Sequence, residues 1–196
     1  MRDGGNYTDP ETGEQKYFEG HLFDEVVFND SIQQFLDKRE QLANYFDENN
    51  QEDIFDYIPP QKTNQIFTPK KVVKHMVDDL EKENPNVFDD PNATFADLYM
   101  KSGLYITEII KRLYANPVMK QFYPDDHERL IHILNHQVFG LAPTRIIYLI
   151  ATNYILGFDD SIKKDITTDH FKQADSAEAS KNCTLQELID KEFGTN

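Results

Sequence analysis

The chain has 196 residues, of which 39% are hydrophobic and 12% aromatic; this suffices for one packed domain with an appendage and excludes wholesale disorder. Its formal charge is −15, with fifteen acids against four bases in residues 1–60 (net −11), leaving −4 for residues 61–196. No basic, aromatic-laced stretch is present to neutralise a phosphate backbone, and the single cysteine, Cys183, excludes an internal disulfide.

The N-terminal MRDGGNYTDPETGEQ lacks the apolar core of a leader. The most apolar run, IIYLIATNYILGF (146–158), is too short and too interrupted to span a bilayer, so a soluble, cytoplasmic chain without membrane contact is expected. No Cys/His cluster has zinc-ligand spacing, and no metal is expected.

In chain order, residues 1–60 read as an acidic, mostly helical arm, with a helix over SIQQFLDKREQLANYF (31–46) and a boundary at Pro59–Pro60. Residues 61–196 then form the main domain. QIFTPKKVVKHMVDDLEKE (65–83) predicts an amphipathic helix with Thr68 as N-cap, Pro69 at the first helical position, and Val72, Val73, Met76, Val77 and Leu80 on one face. Thr94–Leu98 reads as a short strand, and Ile106, Ile109, Ile110 and Leu113 mark a helix from Gly103 to about Ala115. A helix over 125–136 follows, then a strand at Gln137–Leu141 and a largely apolar helix at 144–156, expected to be buried against a sheet. A third strand near HFKQA (170–174) precedes a last helix opened by a capping box, Thr184 to Glu187. Strands alternating with helices predict a parallel, doubly wound α/β sheet with ligands at the carboxyl ends of its strands.

The turn in FADLYMKSGLYITEI (95–109) is the candidate nucleotide site. A phosphate-binding P-loop aligned on Lys101-Ser102 would need glycines where Phe95 and Met100 stand. A dinucleotide fingerprint needs three glycines, and only Gly103 is present. Among the histidines, His132 and His136 are one turn apart, but the Glu of H-E-x-x-H is replaced by Ile133, so packed or surface histidines are expected.

From Gln65 onward the series QIFTP (65–69), DLYMKSGLY (97–105), VFGLA (138–142) and QADS (173–176) resembles, in order, the cofactor motifs of adenine-specific DNA methyltransferases of restriction–modification systems. The resemblance implies a partial Rossmann-like fold of the kind that binds S-adenosylmethionine. It implies that Asp97 pairs with the cofactor's ammonium, that Ser102, Gly103 and Tyr105 form the turn beside it, and that Phe67, Thr68 and Pro69 close over the methionine part. Asp175 would accept from the adenine amine. The sequence departs from the family at Leu98, where a proline is usual, at Lys101, where a glycine is usual, and at Ala142, where an acid binds the ribose.

The family's catalytic N-P-P-[YF] loop is absent; the one Pro-Pro is IPP at 58–60. The expectation is a cofactor-binding front part of a larger methyltransferase, inactive alone, whose contacts with DNA lie in other parts. The alternative is a non-catalytic Rossmann-like interaction domain with a degenerate pocket. Each residue also keeps an ordinary reading: Asp97 as a helix cap, Thr68–Pro69 as a plain helix start, and Asp175 as a solvated loop acid.

Overall fold

A computed structural model describes residues 3–9, 12–20, 25–47, 67–157, 164–167 and 169–194. The chain divides into two compact units, Met1–Leu42 and Ala43–Asn196. The boundary expected at Pro59–Pro60 lies outside the described residues, as do Gln65 and Ile66.

The first unit holds a hairpin of β1 (Asp3–Thr8) and β2 (Gln15–Gly20), paired antiparallel, and one helix, α1 (Glu25–Ala43). No strand was expected here, because DGGNYT and QKYFEG lack the apolar alternation of a half-buried strand. The register is set instead by the turn, where Gly13 takes φ +72° and donates to the Asp9 carbonyl at 2.8 Å. Helix α1 starts and ends earlier than the expected 31–46, and Ile32 and Phe35 on it are 44% and 47% exposed.

The second unit is built on three parallel strands in the order β3 (Phe95–Asp97), β4 (Val138–Ala142), β5 (Phe171–Gln173). Asp97 lies opposite Gly140, and Ala142 opposite Gln173. Between β3 and β4 the chain makes α3 (Leu104–Ala115), α4 (Pro117–Phe122), α5 (Asp126–His132) and one π-helical turn, Ile133–Gln137. Between β4 and β5 it makes α6 (Arg145–Leu156). Helix α2 (Lys70–Glu83) precedes the sheet, and α7 (Ser176–Lys181) and α8 (Leu185–Phe193) follow it. This is a mixed α/β unit with a small parallel sheet.

The core forms where periodicity placed it on α3, and on α2 at Val73 and Val77 but not at Val72 or Met76, which are 46% and 51% exposed. Ile106, Ile109, Ile110 and Leu113 of α3 are fully buried with Val77 of α2, Val138 of β4 and Ile147, Ala151 and Ile155 of α6. Tyr45 joins this core and donates its hydroxyl to the Ile155 carbonyl at 3.1 Å, so the compact unit begins well before residue 61. Helix α6 is less enclosed than its composition suggested: Ile146 is 58% and Leu149 41% exposed. The expected helix at 125–136 is α5 continued by the π-helical turn, and an unexpected helix precedes it: Asn116–Pro117 starts a separate α4, with the Asn116 side chain accepting from Val118 and Met119 N–H. Among the described residues no helix is long and apolar enough to cross a membrane.

Candidate functional site at the carboxyl ends of the strands

In a parallel sheet flanked by helices, backbone turns at the carboxyl ends of the strands leave a crevice for ligands. Asp97 ends β3, Ala142 ends β4, and Asp175 stands two residues after β5. The three candidate strand-end positions therefore share one edge of the sheet. A direct tie joins two of these loops, since the Ser176 hydroxyl donates to the Leu98 carbonyl.

The Asp97 carboxylate accepts from the Tyr99 N–H at 3.1 Å, a short side-chain-to-backbone turn. It does not cap a helix, because the N-cap of α3 is Gly103. Burial raises its pKa above the ordinary carboxyl value, and the Tyr99 N–H offsets part of that rise. Among the described residues no cation pairs with Asp97. Tyr105, in the first turn of α3, lies close enough that its phenol is pushed up by burial and then by the Asp97 charge.

The turn between them is packed from inside. Met100 is fully buried, its N–H donates to the Leu141 carbonyl at 2.7 Å, and its thioether lies over Gly140, where an added Cβ would meet Sδ at 2.8 Å. Ser102 is buried, and its hydroxyl accepts from the Leu104 N–H at 3.3 Å. Gly103 takes φ +86°, a left-handed conformation that opens the helix. Its missing side chain faces Ile155 Cγ1 at 3.0 Å and the Ala151 carbonyl at 3.3 Å, so the close approach that this glycine permits is to α6. The expected approach to a ligand is thus not what demands glycine here.

Pro69, rather than Thr68, is the N-cap of α2, and no side chain caps this helix. Phe67 and Thr68 are half-buried, Phe67 packing against the core, while Pro69 is exposed. Their position follows from how α2 lies on α3. Arg112, near the end of α3, bonds to Asp78 and Glu81 in the second half of α2. Asn116, just past α3, donates to Asp89, in the loop six residues past α2, at 2.8 Å. These contacts join the C-terminal parts of the two helices, and Phe67–Pro69 stand at the opposite end of α2.

Asp175 has its carboxylate engaged: it caps α7, accepting from Ala177 and Glu178 N–H, each at 3.1 Å. The pattern Asp175-Ser-Ala-Glu178 is itself a helix start, and it was the overlooked signal for α7. Thr184 is the N-cap of α8 but forms no capping bond; its hydroxyl donates to the Ala179 carbonyl at 3.3 Å, in place of the expected capping box. His132 stacks on Tyr123 with centroids 4.1 Å apart, and its Nε2 lies 2.9 Å from the Pro91 carbonyl, a packing role. Among the described residues no group of three or more His, Cys, Asp or Glu side chains is placed to hold a metal ion.

No family model matches the chain. Over 112 residues it is 26% identical to a Mycoplasma pneumoniae protein described as an uncharacterized adenine-specific methylase. That stretch is 57% of this chain and 26% of the relative, so the chain spans about a quarter of the length of the protein it matches. The similarity supports a methyltransferase-related chain.

Proposed function

We propose that this chain is the cofactor-binding part of an adenine-specific DNA methyltransferase, with a Rossmann-like fold that takes S-adenosylmethionine at the carboxyl edge of β3–β4–β5. The observation that carries the reading is Asp97: a carboxylate drawn out of water at a strand end and paired with no cation among the described residues. Even partial withdrawal of an unpaired anion from water carries a cost, and a ligand ammonium placed there recovers it.

When bound, the cofactor supplies a sulfonium methyl group that an adenine amine takes by in-line displacement, with the bonding pair going to sulfur and the amine proton to water. The chain's own residues bind and orient. Asp97 holds the ammonium, Tyr105 shields that carboxylate from solvent, and the Ser102–Gly103 turn keeps the first residues of α3 in place. Phe67, Thr68 and Pro69 close over the cofactor's methionine part. The parts that flip and hold the base, and those that grip DNA in a restriction–modification setting, belong in this reading to other segments of a longer protein.

A second reading, a non-catalytic α/β interaction domain, is favoured by three observations. Ala142 offers no carboxylate to a ribose, Asp175 is engaged as a cap, and Gly103 faces α6. Calorimetric titration with S-adenosylhomocysteine separates the two. Binding by the natural chain that weakens roughly tenfold or more in Asp97→Ala, the scale of a lost hydrogen bond to a charged group, supports the cofactor site. A folded chain that binds nothing puts the interaction domain first.

A further inference from the structure

We propose that Arg112 is a positioning residue: acting through α2, it fixes where Phe67–Pro69 stand at the start of that helix. The functional consequence rests on the cofactor reading above; the mechanical part rests on packing alone.

The guanidinium reaches three successive turns of α2. Nη1 donates to Glu81 at 2.7 Å, and Nη2 donates to Asp78 at 2.5 Å and to the Lys74 carbonyl at 3.4 Å. On its own helix, Nε and Nη2 each lie 3.3 Å from the Glu108 carboxylate, which is 8% exposed. Its Cζ also stands 6.0 Å from the ring centroid of Phe88, and Phe88 stacks on Phe95, the first residue of β3, at 5.1 Å. One planar fork thus ties α2 to a frame made of α3 and β3.

Contact with three turns defines a direction as well as a separation. The rest of the α2 face is apolar, with Val73 and Val77 buried, and apolar contact is non-directional. The fork therefore sets the tilt of α2, and a lysine, with a point charge on a flexible stem, does not reproduce it. Lys70 stands 8 residues before Asp78, about 12 Å along the helix, so a tilt of about 5° moves the start of α2, and Phe67 with it, by about 1 Å. Displacements of that size are enough to degrade binding and reactivity.

The chain has no tryptophan, so Phe67→Trp supplies a single fluorescent reporter at the start of α2. In Phe67→Trp combined with Arg112→Met, held well below its melting temperature, emission moves to longer wavelength and acrylamide quenching rises; Arg112→Lys restores only part of the change. If Arg112→Met does not fold, Asp78→Asn with Glu81→Gln removes the same contacts from the other side and gives the same shift. Identical emission and quenching with and without the fork overturn the proposal. On the chain with natural Phe67, Arg112→Met weakens S-adenosylhomocysteine binding about tenfold at unchanged folded fraction. A natural chain that binds no S-adenosylhomocysteine while the reporter shifts defeats the cofactor reading and leaves the positioning role standing. Binding that is equally tight without the fork overturns its functional consequence.

Discussion

At its first turn α3 stands beside Asp97, a half-buried carboxylate that accepts one backbone N–H and pairs with no cation among the described residues. At its last turn it carries Arg112, whose guanidinium donates to three carboxylates and a carbonyl. Both ends bring charge into partly buried surroundings, yet only the second compensates it within the chain. The contrast separates two uses of charge on one helix. Compensated charge fixes how elements pack, and uncompensated charge at a strand end is left for something else to neutralise.

The largest expected effect tests whether the first end is held by packing. An Ala at 103 puts a Cβ 3.0 Å from Ile155 Cγ1 at a φ of +86°. Gly103→Ala should destabilise the fold by about 2–4 kcal/mol, from the left-handed conformation plus overpacking, read as a lower denaturant midpoint. A near-neutral result would mean that α6 yields, and that the turn has room for a ligand. Next in size is the second end. Arg112→Ala leaves Glu108 buried beside Lys111 alone, 3.5 Å away, and should cost about 2 kcal/mol, less than a fully buried pair because the side chain is 17% exposed. Salt sharpens this result: raising ionic strength to about 1 M, where screening acts over about 3 Å, should lower the natural chain's stability more than the variant's.

The same contrast explains what the sequence disclosed. Helix α3 was legible almost to the residue, because Ile106, Ile109, Ile110 and Leu113 repeat at helical spacing and all are buried. Helix α6, with Thr144 accepting from Ile147 N–H as its cap, was equally clear. Strand β4 came within one residue of its expected bounds. The hairpin at 3–20 was illegible because both strands are exposed on their described side chains and carry no apolar period. Asp97 could be named from its place at the end of a short strand, but its surroundings could not: partial burial and the lack of a cation among the described residues are tertiary facts. Arg112 was overlooked for the complementary reason. Nothing local marks it, since two of its partners, Asp78 and Glu81, are 34 and 31 residues away in sequence.

The smallest effect is the most discriminating, because the two ends should answer pH with opposite signs. Asp97 has its folded pKa raised, first by burial, so its contribution to stability is full below the unfolded carboxyl value of about 3.9 and is lost as pH rises through the folded value. Asp97→Asn, which stays neutral and can still accept from Tyr99, should match the natural chain in acid and melt higher than it at neutral pH. Asp78 has its folded pKa lowered, first by its hydrogen bond from Arg112, so its contribution is present above about pH 3.9 and is lost as pH falls through the folded value. Asp78→Asn should therefore melt lower than the natural chain at neutral pH and converge with it in acid. Carboxyl-carbon NMR titration reads both midpoints directly, Asp97 above the ordinary value and Asp78 below it. If Asp97 instead titrates low, a cation within the chain already neutralises it, and a ligand ammonium gains nothing by docking there.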